Sequence, residues 1–278
     1  MHDDPLDVIL RALCAAMHPT DPLFMVVGGY GLVLRARHGI SVSRSAGSSG
    51  GLRSTSDLDV LLSLDLLASP SASDRLATAI RDLGFEEHTA HMRFHRGRTA
   101  HSPPLGIDLM APKPHDGRYG RLRSDSSRIR SAKRHTIHGR ATEGAHLVLG
   151  APHRIRLPND SGAVHVPHLF GYLILKALAY RDTLVERRDQ APKHAADLFI
   201  LLATASANEF DETMDMVRSS LHEASVREAR RILQESFVHA PAEGLSDGRR
   251  ELRRGGVLLS AAEESQAIQA MSYLAREL

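Results

Sequence analysis

Apolar residues recur over 4–17 at Leu6, Ile9, Leu10 and Leu13, the spacing that lines one face of a helix, with Pro5 tolerated in the first turn. The apolar run 23–27 stops at Gly28-Gly29 and helical composition resumes over 30–37, which predicts strand, glycine turn, helix. The Ser/Gly-rich stretch 41–51 reads as a loop. Further on, the pattern predicts a strand over 57–63, a helix over 73–83 ending near Gly84, and strands over 85–95 and 105–110. From 113 to 140 the pattern is poor, and the short pieces 146–149, 153–157 and 163–166 look β-like. After Pro167 the chain turns helical, with helix spacing over 169–180, 194–205, 212–221, 226–237 and 261–278, punctuated by Pro241 and Gly255-Gly256. No internal repeat is present. The expectation is an α+β chain with a sheet-bearing domain over 1–166 and a helical domain over 167–278, meeting at a cleft.

The composition narrows the classes. With 35 basic and 33 acidic residues the net charge is only +2, so any surface for a polyanion has to be local. The single cysteine, Cys14, excludes a disulfide framework or a thiolate metal cluster and fits a reducing compartment. The start MHDDPLDVIL has neither the basic flank nor the apolar stretch of a signal peptide, and Lys176 interrupts the apolar run 169–179. A cytoplasmic protein without a membrane span is expected. Aromatics at 4% and the lack of Trp weigh against a base-stacking platform.

The chemistry concentrates in Asp57-Leu58-Asp59. Alternate residues of a strand point to one face, so both carboxylates project together while Leu58 and Val60 face the core. Two anions side by side invite a cation, and Mg²⁺ takes oxygen ligands, commonly one or two carboxylates plus substrate phosphates. A solvated strand end remains the alternative for so short a motif. The context adds weight: a Gly-Gly turn lets backbone N–H groups approach phosphate oxygens, and the following helix presents its positive end. Asp108, between Ile107 and Leu109, is a candidate third carboxylate on a neighbouring strand, either completing the metal set or taking a proton from an acceptor hydroxyl.

In order and spacing, Gly28-Gly29-Tyr30-Gly31-Leu32 followed by Arg53-Ser54-Thr55-Ser56-Asp57-Leu58-Asp59-Val60 resembles the polymerase-β-like nucleotidyltransferases, and within them the abortive-infection (AbiEii/AbiGii-type) toxin branch. That branch also has a Lys, an Arg and then a Lys-x-x-x-Asp in the helices after its sheet, matched here by Lys176, Arg181, Lys193 and Asp197. The resemblance spans roughly 23–200. It implies a small mixed sheet with flanking helices, followed by a helical module completing a nucleotide cleft. Asp57, Asp59 and Asp108 would hold Mg²⁺ or Mn²⁺, and Gly28, Gly29, Arg53, Thr55, Lys176, Arg181 and Lys193 would contact an NTP. Lys176 would neutralise phosphate charge, and Asp197 would orient Lys193 or Lys176 or touch the nucleotide. The implied reaction moves an NMP to a hydroxyl, plausibly on tRNA, in a toxin–antitoxin or phage-defence system with a cognate antitoxin. An aminoglycoside-type transferase uses the same apparatus, and a non-catalytic nucleic-acid-binding module of the same fold stands as a third reading.

Over 113–140 nine Lys or Arg (113, 118, 121, 123, 128, 130, 133, 134, 140) stand against Asp116 and Asp125, an excess of seven charges that either holds RNA phosphates or is a solvated loop. Other motifs fail. Leu34 stands where the third glycine of a dinucleotide fingerprint belongs, no Gly-x-x-x-x-Gly-Lys loop occurs, and the 17 histidines form no His-Glu-x-x-His pattern.

Overall fold

The computed structural model describes residues 4–18, 21, 24–38, 55–98, 104–114, 119–125, 127–131, 136–157, 162–239 and 241–277. The chain divides into two compact units, Met1–Gly31 with Thr55–Pro167, and Leu32–Ser54 with His168–Leu278. Arg53 and the Ser/Gly-rich stretch 41–51 lie outside the described residues.

In the first unit α1 (Pro5–Ala16) begins behind Asp4, whose carboxylate accepts the Leu6 N–H, and it buries Leu6, Ile9, Leu10 and Leu13. β1 (Phe24–Val26) is buried along its length and runs into α2 (Gly28–Arg37), so the two glycines open the helix rather than precede it. After β2 (Asp57–Leu62) come α3 (Leu64–Ala68) and α4 (Pro70–Asp82), capped by the hydroxyls of Ser63 and Ser69. The remaining elements are β3 (Glu86–Thr89), β4 (Arg93–Arg96), β5 (Leu105–Pro112), β6 (Leu122–Ser124), β7 (Arg128–Ser131), β8 (His138–Thr142), α5 (Ala145–Leu149), β9 (Pro152–Arg156) and β10 (Ala163–Pro167).

The ten strands among the described residues join one mixed sheet in the order β6-β7-β8-β5-β2-β1-β10-β9, with β3 paired to β4 and β4 to β5. β2 and β5 are parallel at its centre. The far edge of β5 is shared: its first half pairs with β4 antiparallel and its last residues with β8 in parallel. One face of this sheet is apolar, because Leu58, Val60, Phe94, Ile107, Leu109 and Ile129 fall on the same side of their strands and all are buried. Burying such side chains supplies the main stabilisation, roughly 1.5–3 kcal/mol for each large aliphatic.

Three expectations change here. The sheet is large rather than small, since the patternless stretch 113–140 contributes β6, β7 and β8. These strands are three to five residues long with Arg on the outer positions, too short to show alternation. The expected single strand 85–95 is the hairpin β3–β4, turned at Ala90 (φ 40°) and His91 (φ 58°) without Gly or Asn at either position. The β-like piece 146–149 is the single-turn helix α5, entered through Gly144 at φ 71°.

The second unit is helical: α6 (Leu169–Glu186), α7 (Ala191–Thr204), α8 (Ala207–Ser219), α9 (Ala224–Leu233) continued by a π turn at Gln234–Val238, α10 (Glu243–Arg254) and α11 (Ala261–Glu277). α7 lies at its centre, packed by α6, α10 and α11, and is buried from Ala195 to Thr204. The buried face of α10 is Gly244, Asp247, Gly248, Glu251 and Leu252, with a single large apolar residue among them. Arg35, only 2% exposed, gives both oxygens of Glu209 a hydrogen bond, at 2.7 and 2.8 Å, and lies over the Tyr172 ring. The second acceptor capacity of Glu209 takes the Leu169 N–H at 3.1 Å. No helix among the described residues is long and apolar enough to cross a membrane.

Candidate functional site

The parallel register of β2 and β5 sets Asp59 directly opposite Asp108 and Asp57 opposite Gly106. Register partners share a face, so Asp57, Asp59 and Asp108 stand together on the side opposite the apolar core. Two glycines leave room for them. A Cβ on Gly28 would lie 1.8 Å from Oδ2 of Asp59, and one on Gly106 would lie 2.4 Å from Oδ1 of Asp57. Gly28 also sits at φ 65°, a left-handed conformation that costs a residue with a side chain about 1 kcal/mol or more. Gly28 thus lets the first turn of α2 close on Asp59. A carboxylate beside a helix N-terminus is itself favoured, by about 0.3–1 kcal/mol.

Backbone ties fix the two aspartates. The Val27 N–H donates to the Asp59 carbonyl at 2.9 Å, and the Asp57 N–H donates to Oγ1 of Thr55 at 3.3 Å. Thr55, expected among the nucleotide contacts, ties the start of β2 through its hydroxyl. Replacing Gly28 by Ala should cost about 1–3 kcal/mol through backbone strain and the displaced Asp59 carboxylate. Denaturant melts of the two proteins measure this, and an unchanged midpoint would mean that Asp59 does not need the space.

Two arginines face Asp108: Arg93, which the sequence did not single out, and Arg140, counted there in the basic segment. Arg93 is its register partner across β4, with Nε 2.9 Å from Oδ1. That N–H does not point at the oxygen: both atoms are shut from solvent, yet neither has an aligned hydrogen bond among the described residues. Their approach is a charge contact. Arg140 shares the face as partner of Met110, to whose sulfur it donates at 3.2 Å. Burial pushes the Asp108 carboxyl above its ordinary value; Arg93 and Arg140 pull it down, and the like charge of Asp57 pushes it further up. The three carboxylates share a face without being drawn to a single point, since Asp108 is turned to Arg93.

The same register resolves the basic segment. Arg140 is opposite Arg128, Arg130 opposite Arg123, and these four alternate onto the carboxylate face while Ile129 and Leu122 face the core. The row runs outward from β8 through β7 to β6. Arg128 shares its charge with Asp125 at 2.7 Å. Arg121 precedes β6, Lys113 follows β5, and Arg118, Lys133 and Arg134 lie outside the described residues.

The helical unit holds the rest of the predicted set. Lys176 on α6 donates to Oδ2 of Asp197 on α7 at 2.6 Å, with the residues 5% and 2% exposed. This contact supports one of the three roles left open for Asp197, orienting Lys176. Arg181 is ion-paired to Asp182 and Glu228, and Lys193 lies half-buried in the first turn of α7.

Compared with protein-family models, characterised proteins and solved structures, the chain finds no match.

Proposed function

We propose that the chain is a metal-dependent nucleotidyltransferase of the polymerase-β-like type, moving an NMP from an NTP to an acceptor hydroxyl on RNA. One observation carries the reading: three carboxylates gather on one sheet face beside a helix N-terminus whose first glycine is fitted to one of them. The donor set suits a hard divalent ion, Mg²⁺ or Mn²⁺, held by Asp57 and Asp59 with Asp108 beside them. Such an ion would, when bound, neutralise charge on the triphosphate and on the attacking hydroxyl oxygen.

The remaining work falls to the chain. The first turn of α2, at Gly28 and Gly29, offers backbone N–H groups and a positive end to phosphate oxygens. Asp108, whose proton affinity is raised by burial and by Asp57, suits the acceptance of a proton from the attacking hydroxyl. Arg93 and Arg140 place fixed positive charge on the same face. The AbiEii-type resemblance extends the reading to a toxin of a toxin–antitoxin or phage-defence pair acting on tRNA. Its assignment of Lys176 to a phosphate requires that lysine to leave Asp197.

The row Arg140, Arg128, Arg130 and Arg123 favours a polyanionic acceptor over an aminoglycoside, which is itself cationic. Replacing Arg123, Arg128 and Arg130 by Gln should weaken RNA binding and lower the slope of log affinity against log salt by about two to three, at roughly 0.7–0.9 per lost phosphate contact. NTP binding should be unchanged. Affinities at several salt concentrations decide the matter: identical slopes would remove the RNA surface, and transfer to an aminoglycoside in their presence would favour the small-molecule reading.

A further inference from the structure

We infer that Arg93 is a built-in competitor for the divalent ion at Asp108, so that loading the site exchanges one cation for another; this rests on the reading of Asp57, Asp59 and Asp108 as metal ligands. Arg93 is the cross-strand partner of Asp108 and places Nε 2.9 Å from Oδ1, one of the two oxygens that carboxylate offers an ion. The contact is an incomplete one. Its N–H is not aimed at the oxygen, and neither buried atom has an aligned hydrogen bond among the described residues, in contrast to the two-pronged grip of Arg35 on Glu209.

The exposures say which partner can leave. The Arg93 side chain is 39% exposed and can swing outward, while that of Asp108, 22% exposed and fixed at the sheet centre, stays. Arg93 thereby balances the charge of Asp108 on the face it shares with Asp57 and Asp59 when no ion is held. It yields Asp108 when one arrives, and the displaced guanidinium then remains beside the site as a cation for a phosphate oxygen. Sequence spacing could not show this, because the pairing depends on the unread β3–β4 hairpin.

The test is Mn²⁺ binding by titration calorimetry on the full chain at pH 8, without nucleotide. Arg93→Gln should bind Mn²⁺ at least about threefold more tightly than wild type, the scale of one partly exposed charge contact. It should also melt lower than wild type in EDTA and regain the difference on adding Mn²⁺. Arg93→Lys, which keeps the charge, should bind Mn²⁺ like wild type. Should Arg93→Gln fail to fold, Arg93→Met keeps the unbranched stem and serves in its place. Equal or weaker Mn²⁺ binding by the neutral variants would overturn the competition while leaving the transferase reading intact. An absence of Mn²⁺ binding in wild type and variants alike would instead remove the metal site on which both depend.

Discussion

Replacing Lys176 by Met should destabilise the protein by about 3–5 kcal/mol, and adding Asp197→Leu to that variant should restore most of the loss. The two side chains meet at 2.6 Å with 5% and 2% of their residues exposed, so removing the lysine strands a carboxylate away from water. Burial of that charge without its lysine sets the size of the penalty. Two apolar side chains of similar volume require no such compensation, and buried pairs replaced in this way are commonly neutral or better. The pair therefore fixes how α6 and α7 pack more than it adds net stability. Denaturant melts of the single and double variants measure both numbers. If Lys176→Met melted like wild type but no longer bound NTP, the ammonium would be working on phosphate, as the AbiEii-type resemblance has it. A double variant as unstable as the single would show that other partners of Asp197 dominate.

Asp57→Asn and Asp59→Asn should each lower transfer by about a thousandfold or more while the fold survives, an effect on the scale of removing one strong electrostatic contact from a transition state. An amide keeps the shape and one acceptor oxygen but not the charge that holds a divalent ion. The two changes should differ in stability. Asp57 stands on the same face as Asp108 and raises its proton affinity, so neutralising it relieves repulsion and should hold or raise the melting temperature. Asp59 lies against the first turn of α2, where its charge is favoured by about 0.3–1 kcal/mol, so Asp59→Asn should melt slightly lower. Turnover assays and thermal melts on the same preparations separate the two contributions. Near wild-type turnover by either variant would show that its carboxylate is not a ligand.

Much of this was legible where local chemistry repeats. α1 and the helices after Pro167 showed their apolar spacing, and Gly28-Gly29 and Asp57-Leu58-Asp59 announced a turn and a shared face. Asp108 could be placed on a strand, but not opposite Asp59, because register is a relation between strands and no single segment carries it. Arg93 was missed for the same reason, and Arg140, counted in the basic segment, could not be placed on the face of Asp108. The β3–β4 turn at Ala90 and His91 lacks the residues that usually mark a hairpin, and β6 to β8 carry only one or two inward positions each. α10 stayed hidden since glycines and acids, with Leu252 the one leucine, make its buried face, and Arg35 gave no hint that its partner is Glu209, 174 residues away.

The central claim is transfer of a nucleotidyl group at the Asp57–Asp59–Asp108 face, and the most direct measurement follows the two ends of the triphosphate separately. Wild-type protein is incubated with Mg²⁺, total cellular RNA and each NTP carrying label either in the α-phosphate or in the γ-phosphate. The account predicts that α-label becomes attached to RNA, that γ-label leaves as pyrophosphate, and that both signals vanish with Asp57→Asn or on adding EDTA. Transfer of γ-label to the acceptor, or α-label incorporation that persists in Asp57→Asn, would contradict it.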